Sequence, residues 1–202
     1  MVHSVCSYVS VPDGLIEVLT KHLPYSLPIL RRLQFTKFNH GASPSSRIIV
    51  ASETDHLLNG EVPGTTKIAV AFLDFPSGPE TEMWLYSSLE DGQVQGEDLE
   101  YCEEQIEALF GKVREVSLEY DQEKAYPGAV LLGTLNSAVR EVMERRGLPV
   151  LPRPTGNYDK WLFRLDELPD EGVSLPEGMR WDRASLDDCK VAVSRTNIPR
   201  QA

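Results

Sequence analysis

Few side chains in this 202-residue sequence stand at spacings that chemistry would need. His40, in the turn Asn39-His40-Gly41, could act as a general base, yet an imidazole between turn formers reads first as an ordinary loop residue. Glu82, at the head of a strand-like run, could act as a carboxylate base, but a carboxylate at a strand end is expected to be solvated. His3, His22 and His56 are scattered and no pair has metal-ligand spacing, so no metal centre is expected. Cys6, Cys102 and Cys189 are odd in number and lack a Cys-x-x-Cys spacing, which argues against a disulfide framework and against zinc. Cys102 and Cys189 fall in apolar helical stripes and read as small buried hydrophobes. There is no Gly-x-Ser-x-Gly elbow, no Walker loop and no His-Cys pairing.

The elements that must position these residues follow from hydrophobic period. Pro12 followed by Leu15, Val18, Leu19 and His22 predicts a helix over 12–23, ended by Pro24 and Pro28. Residues 29–38 and 46–51 read as strands separated by the turn formers Asn39-His40-Gly41 and Ser43-Pro44. Residues 67–73 and 82–87 continue the sheet, and Pro76-Ser77-Gly78-Pro79 between them makes antiparallel neighbours. The period then changes: Leu99, Cys102, Ile106, Leu109, Phe110 and Val113 mark a long amphipathic helix. Residues 129–133 are a short apolar run that fits a buried strand. Leu135, Val139, Val142 and Met143 form another helix, closed by Gly147, with Glu141 and Arg145 placed to pair on its outside. After a proline-rich loop, Tyr158–Leu165 reads as a last strand. The expected architecture is α/β, strictly α+β: a mixed, mainly antiparallel sheet flanked by helices, with its parallel step late.

Composition bounds the partners. A net charge of −11 with no basic stripe argues against a nucleic-acid partner, because phosphate recognition depends on clustered Lys and Arg. Residues 97–123 concentrate the acid, with ten carboxylates against Lys112 and Arg114, and read as the solvated face of the long helix. No window approaches the roughly 20 apolar residues of a membrane span, and Met1–Ser10 lacks a charged leader, so a soluble, cytoplasmic protein is expected. Residues 1–168 form the main domain on this reading, and 169–175, with Pro169-Asp170-Glu171-Gly172, a linker. Residues 176–202 read as the opening strand and helix of a second domain, cut short.

The order of elements, with Leu19–Pro28, Phe38-Asn39-His40-Gly41, Leu131-Leu132-Gly133-Thr134-Leu135 and Leu175–Pro199, resembles the GNAT acyltransferase fold. Within it the sequence is similar to fungal GNAT-type proteins related to glycine N-acyltransferases. That resemblance implies acyl transfer, typically N-acetyl transfer, from acetyl-CoA or a longer acyl-CoA to a small amine. The acyl-CoA would be a co-substrate and no cofactor would be held tightly. A second copy of the chain is a further candidate partner. In proteins of this sort two GNAT-like halves follow one another, and the acyl-CoA site belongs to the second.

The resemblance also implies where to look. GNAT enzymes hold the pyrophosphate on an Arg/Gln-x-x-Gly-x-Gly/Ala loop at the start of the helix after the fourth strand. The matching stretch is Gln93-Val94-Gln95-Gly96-Glu97-Asp98, which makes Gln93 and Gly96 the cofactor-binding candidates. Asp98 stands where a small residue should be, and Glu97, Asp98 and Glu100 would cap the helix and repel a pyrophosphate. The tyrosine that many GNAT enzymes use to protonate the departing thiolate is matched by Met143, which has no proton to give. Two functions follow: an acyl-CoA-dependent N-acyltransferase family member in a truncated or inactive form, or a non-catalytic GNAT-like interaction or regulatory module.

Overall fold

The computed structural model describes residues 4–53, 67–78, 80–92, 94–151, 175–180 and 182–195. The chain divides into two compact units, residues 1–158 and 159–202. The first unit runs β1 (Ser4–Tyr8), α1 (Leu15–Lys21), α2 (Leu27–Phe35), β2 (Arg47–Ser52), β3 (Ile68–Leu73), β4 (Met83–Ser87), α3 (Glu97–Glu119), β5 (Leu132–Gly133) and α4 (Ser137–Arg145). The strands form one sheet in the order β1-β2-β3-β4-β5. The first three pairings are antiparallel, and β4 with β5 is parallel, as the sequence led one to expect. This mixed, mostly antiparallel sheet with flanking helices is consistent with a GNAT-like α+β fold.

Period two divides each central strand between two layers. Ile68, Val70 and Phe72 of β3, with Ile48, Val50 and Tyr86, pack against Leu15, Val18 and Leu19 of α1 and Ile29, Leu30 and Leu33 of α2. Ala69, Ala71 and Leu73, with Ile49, Ala51, Met83 and Leu85, face Cys102, Ile106, Leu109 and Val113 of α3 and Val139, Val142 and Met143 of α4. The alanines at 51, 69 and 71 let α3 lie close on the sheet. Gln105, fully buried on the same helix face, donates through Nε2 to the carbonyls of Lys67 (3.0 Å) and Ala51 (3.4 Å), which ties α3 to the ends of β2 and β3.

The structure corrects the sequence reading in several places. Residues 29–38 are not a strand: Leu27–Phe35 is helical, with Pro28 in its first turn, so this proline starts a helix and does not end one. Ile29, Leu30 and Leu33 then share the buried face, and the Arg32 guanidinium lies 4.3 Å from the Phe72 ring centroid, pinning α2 to β3. The fourth antiparallel strand is instead β1, at the sheet edge, which the sequence reading left unassigned. The strand expected over 129–133 contracts to Leu132–Gly133.

Arg145 does not pair with Glu141. It pairs with Glu103 of α3, and Arg146 Nε lies 3.1 Å from the other oxygen of the same carboxylate. Glu103 is buried, so one member of the acidic run serves as an α3–α4 clamp instead of a solvated face. Helix α4 opens on Asn136, whose Oδ1 accepts from Ala138 N at 2.9 Å, and closes on Gly147 at φ 74°.

In the second unit, α5 (Leu186–Ser194) starts on a reciprocal cap: Asp188 N–H donates to Ser185 Oγ (3.2 Å), and Ser185 N–H to Asp188 Oδ2 (2.8 Å). The described residues ahead of it turn at Gly178 and form no strand. Cys189 of α5 is exposed, unlike the buried Cys102. The strand read over Tyr158–Leu165 and Pro169–Gly172 of the expected linker lie outside the described residues, as do His3 and His56.

Candidate functional site

The segment between β4 and α3 holds the stretch matched to the pyrophosphate loop. β4 ends in a capped turn: Ser87 Oγ accepts from Leu89 N–H at 3.3 Å, and Glu90 Oε1 accepts from Ser87 N–H at 3.2 Å. A 3-10 turn over Ser88–Asp91 follows, then Gly92 at φ 72°. Gly96 enters α3 at φ 62°, ψ −136°, a conformation that suits glycine, and a Cβ there would meet nothing within 4 Å. Gln93, the other cofactor-binding candidate, lies outside the described residues.

The first turn of α3 has no side-chain cap, so Glu97, Asp98 and Glu100 do not close it by hydrogen bonding as expected. Their charge complements the helix dipole. Asp98 turns to the Lys67 ammonium at the head of β3, and this hydrogen bond is the main reason the Lys67 pKa rises. Glu97 and Glu100 are exposed in the same turn. In that turn the Leu99 and Glu100 N–H groups donate to Gly96 O at 3.0 and 3.4 Å, beside the three carboxylates.

Other candidates separate cleanly. Met143 is buried between α3, α4 and the sheet and contributes only packing. His40 sits exposed in its turn at φ 62°, an ordinary loop residue as expected. Glu82 is a correction, for it is fully buried rather than solvated. Its Oε2 accepts from Leu131 N–H (3.0 Å) and its own N–H donates to Leu131 O (3.0 Å), lacing β4 to the approach of β5. Its Oε1 is buried with no hydrogen-bond partner among the described residues. Burial raises its pKa, against the opposing pull of the Leu131 N–H and the Lys124 charge. The Cys102 thiol is pushed up to about 11, first by burial, which makes it a poor nucleophile. Among the described residues no His, Cys, Asp and Glu group could hold a metal ion, and no helix is long and apolar enough to cross a membrane.

One constellation escaped sequence reasoning. His22, at the C-terminus of α1, places Nδ1 2.7 Å from Asp91 Oδ2, and the Tyr86 hydroxyl donates to Asp91 Oδ1 at 2.8 Å. The His22 and Tyr86 rings lie 5.6 Å apart at 51°. Tyr86 is fully buried, and burial together with the Asp91 hydrogen bond drives its pKa upward, so its hydroxyl stays a donor. Helix α1 and the turn after β4 are 69 residues apart in sequence, and no local spacing announces the pair. The helical stripe that carries His22 was legible; its partner was not.

Comparison with known proteins adds one positive finding. No curated protein and no solved structure matches the chain. The family model for the acyl-CoA N-acyltransferase verG N-terminal domain matches residues 3–161, which takes in the whole sheet and helices α1 to α4. The chain therefore belongs to this family of acyl-CoA N-acyltransferase N-terminal domains.

Proposed function

We propose that this chain supplies the first GNAT-like half of an acyl-CoA-dependent N-acyltransferase of the glycine N-acyltransferase kind, acting in the cytoplasm on a small amine. On this reading its own loop before α3 does not hold the acyl-CoA pyrophosphate. The observation that carries the reading is the acidic first turn of α3, Glu97, Asp98 and Glu100, behind the open Gly96 entry. A unit negative charge brought within about 4 Å of another costs on the order of 1 kcal/mol even at the dielectric of water. Lys67 offsets Asp98 alone. The dipole of a helix start contributes less than two such repulsions remove. Gln93 and Gly96 remain the residues through which a pyrophosphate would be held if one were.

The family match ends at residue 161 and the chain divides after residue 158, which supports treating residues 176–202 as the opening of a second GNAT-like unit joined through 169–175. The acyl-CoA site would lie in such a second unit. A second reading, a non-catalytic interaction or regulatory module, is favoured by buried Met143 at the position of the thiolate-protonating tyrosine. The test is thiol release from acetyl-CoA and a longer acyl-CoA by the purified 202-residue chain, with a panel of small amines. No release above the uncatalysed rate is expected. Turnover that responds to Gly96 substitution would overturn the reading.

A further inference from the structure

We propose that the outer side of α2 docks on an anionic lipid surface, with Phe35 and Phe38 entering the headgroup layer and Arg31 and Lys37 meeting its charge. Such docking is independent of the acyltransferase reading. The chain carries 31 Asp and Glu against 20 Lys and Arg, yet residues 18–52 hold none of those acids and five of the bases, Lys21, Arg31, Arg32, Lys37 and Arg47. Three of these bases are committed to the protein itself. Lys21 pairs with Glu17 at 3.3 Å, Arg32 lies over the Phe72 ring and 4.0 Å from Asp74, and Arg47 donates to the carbonyls of Pro44 and Ser46. Arg31 and Lys37 are exposed, Arg31 donates to Gln34 Oε1 at 2.9 Å, and among the described residues no carboxylate pairs with either cation.

Exposed aromatic rings gather beside the same two cations. Tyr25, Phe35 and Phe38 are the exposed aromatics among the described residues, Phe35 at 49% and Phe38 at 66%. Ile29, Leu30 and Leu33 bury one face of α2, while Leu27, Arg31 and Phe35, at steps of four, share the opposite one. Phe38 continues that stripe: its N–H donates to Phe35 O at 3.0 Å, and the two ring centroids lie 5.8 Å apart. Apolar and aromatic side chains interleaved with Lys and Arg suit a membrane interface, where the rings sit at headgroup level and the cations meet anionic lipid. Side chains that stand this far out fit a partner that yields around them, as a headgroup layer does. The acids that would oppose the approach lie on the other layer, because Glu97, Glu100, Glu104 and Glu107 belong to α3, which packs on the sheet face opposite α1 and α2. A helix is about 10 Å across, so the α2 layer alone holds those acids beyond the screening length of about 8 Å at physiological ionic strength. The contact is peripheral, since no helix among the described residues is long and apolar enough to cross a membrane.

The test is co-sedimentation of the 202-residue chain with vesicles of phosphatidylcholine alone and of an equal mixture of phosphatidylcholine and phosphatidylserine. Binding to the mixed vesicles is expected to be about tenfold or more tighter than to the neutral ones, and to weaken as salt rises. Arg31→Ala and Lys37→Ala should each weaken it about fivefold. Phe38→Ser should weaken it by a similar factor, and Arg114→Ala, at an exposed position of α3, should leave it unchanged. Equal retention by the two vesicle types, or retention by neither, would overturn the proposal, and both results are read on the unmodified chain. Mixed-vesicle binding that survives Arg31→Ala and Lys37→Ala, or that Arg114→Ala weakens as much as they do, would overturn it as well. A chain that pairs with itself through Phe38 and leaves the mixed vesicles unbound would assign this face to a second copy instead.

Discussion

The ammonium of Lys67 is bound to the carboxylate of Asp98, so the head of β3 reaches across to the first turn of the helix that follows β4. A cation that could have served an incoming phosphate is occupied by the protein's own acid. Asp98 is 57% exposed, so solvent weakens the pair, and its structural contribution is small. On the reading proposed above, Glu97 and Glu100 are left as the net charge beside Gly96, where an added Cβ would meet nothing within 4 Å.

Helix α2 makes the first prediction. Leu33 is fully buried while Arg31 is exposed, whereas an alternating strand would put both on one face. Leu33→Ala should cost about 2–5 kcal/mol and Arg31→Ala less than about 0.5 kcal/mol in denaturant unfolding. Equal costs at the two positions would contradict the helix.

Glu82 makes the second. Its folded pKa is raised, so the stability it contributes is fully present below the unfolded glutamate value of about 4.3 and is lost as pH rises through the folded value. Glu82→Gln keeps an acceptor for Leu131 N–H and removes the ionisation. The variant should therefore gain on the unmodified chain as pH goes from 4 to 8, read as unfolding free energy at each pH. A difference that stays flat across that range would show that Glu82 does not titrate in the fold.

The α3–α4 clamp makes the third. Glu103 is buried against Arg145 and Arg146, and Glu103→Ala leaves both guanidinium groups without that acceptor, at a cost of about 1–3 kcal/mol. Arg145→Ala should cost less than about 1 kcal/mol, because Arg145 is 54% exposed and Arg146 keeps the carboxylate satisfied. Thermal unfolding of the two variants checks the order.

Period and punctuation carried most of the sheet. β2, β3, β4 and α3 lie within a residue or a few of where alternation and the switch to a helical stripe place them, because each buries one face or both against a layer. Residues 29–38 defeated the same rule. Ile29, Leu30 and Leu33 suit either a short apolar strand or one helical face, and Pro28, read as a stop, was the start. β1 escaped because Ser4-Val5-Cys6-Ser7-Tyr8 is an edge segment of weak pattern.

The site was legible only in part. The acidic turn at Glu97–Glu100 can be read from consecutive residues. The burial of Glu82 and the meeting of His22 with Asp91 are products of tertiary packing, which neither spacing nor composition encodes.

On the function proposed above, charge closes the start of α3 to acyl-CoA. Calorimetric titration of the 202-residue chain with acetyl-CoA and a longer acyl-CoA tests it most directly. No saturable heat is expected, a Kd weaker than about 1 mM. Micromolar binding that is lost in Gly96→Trp, where the added ring would fill the open approach, would contradict it.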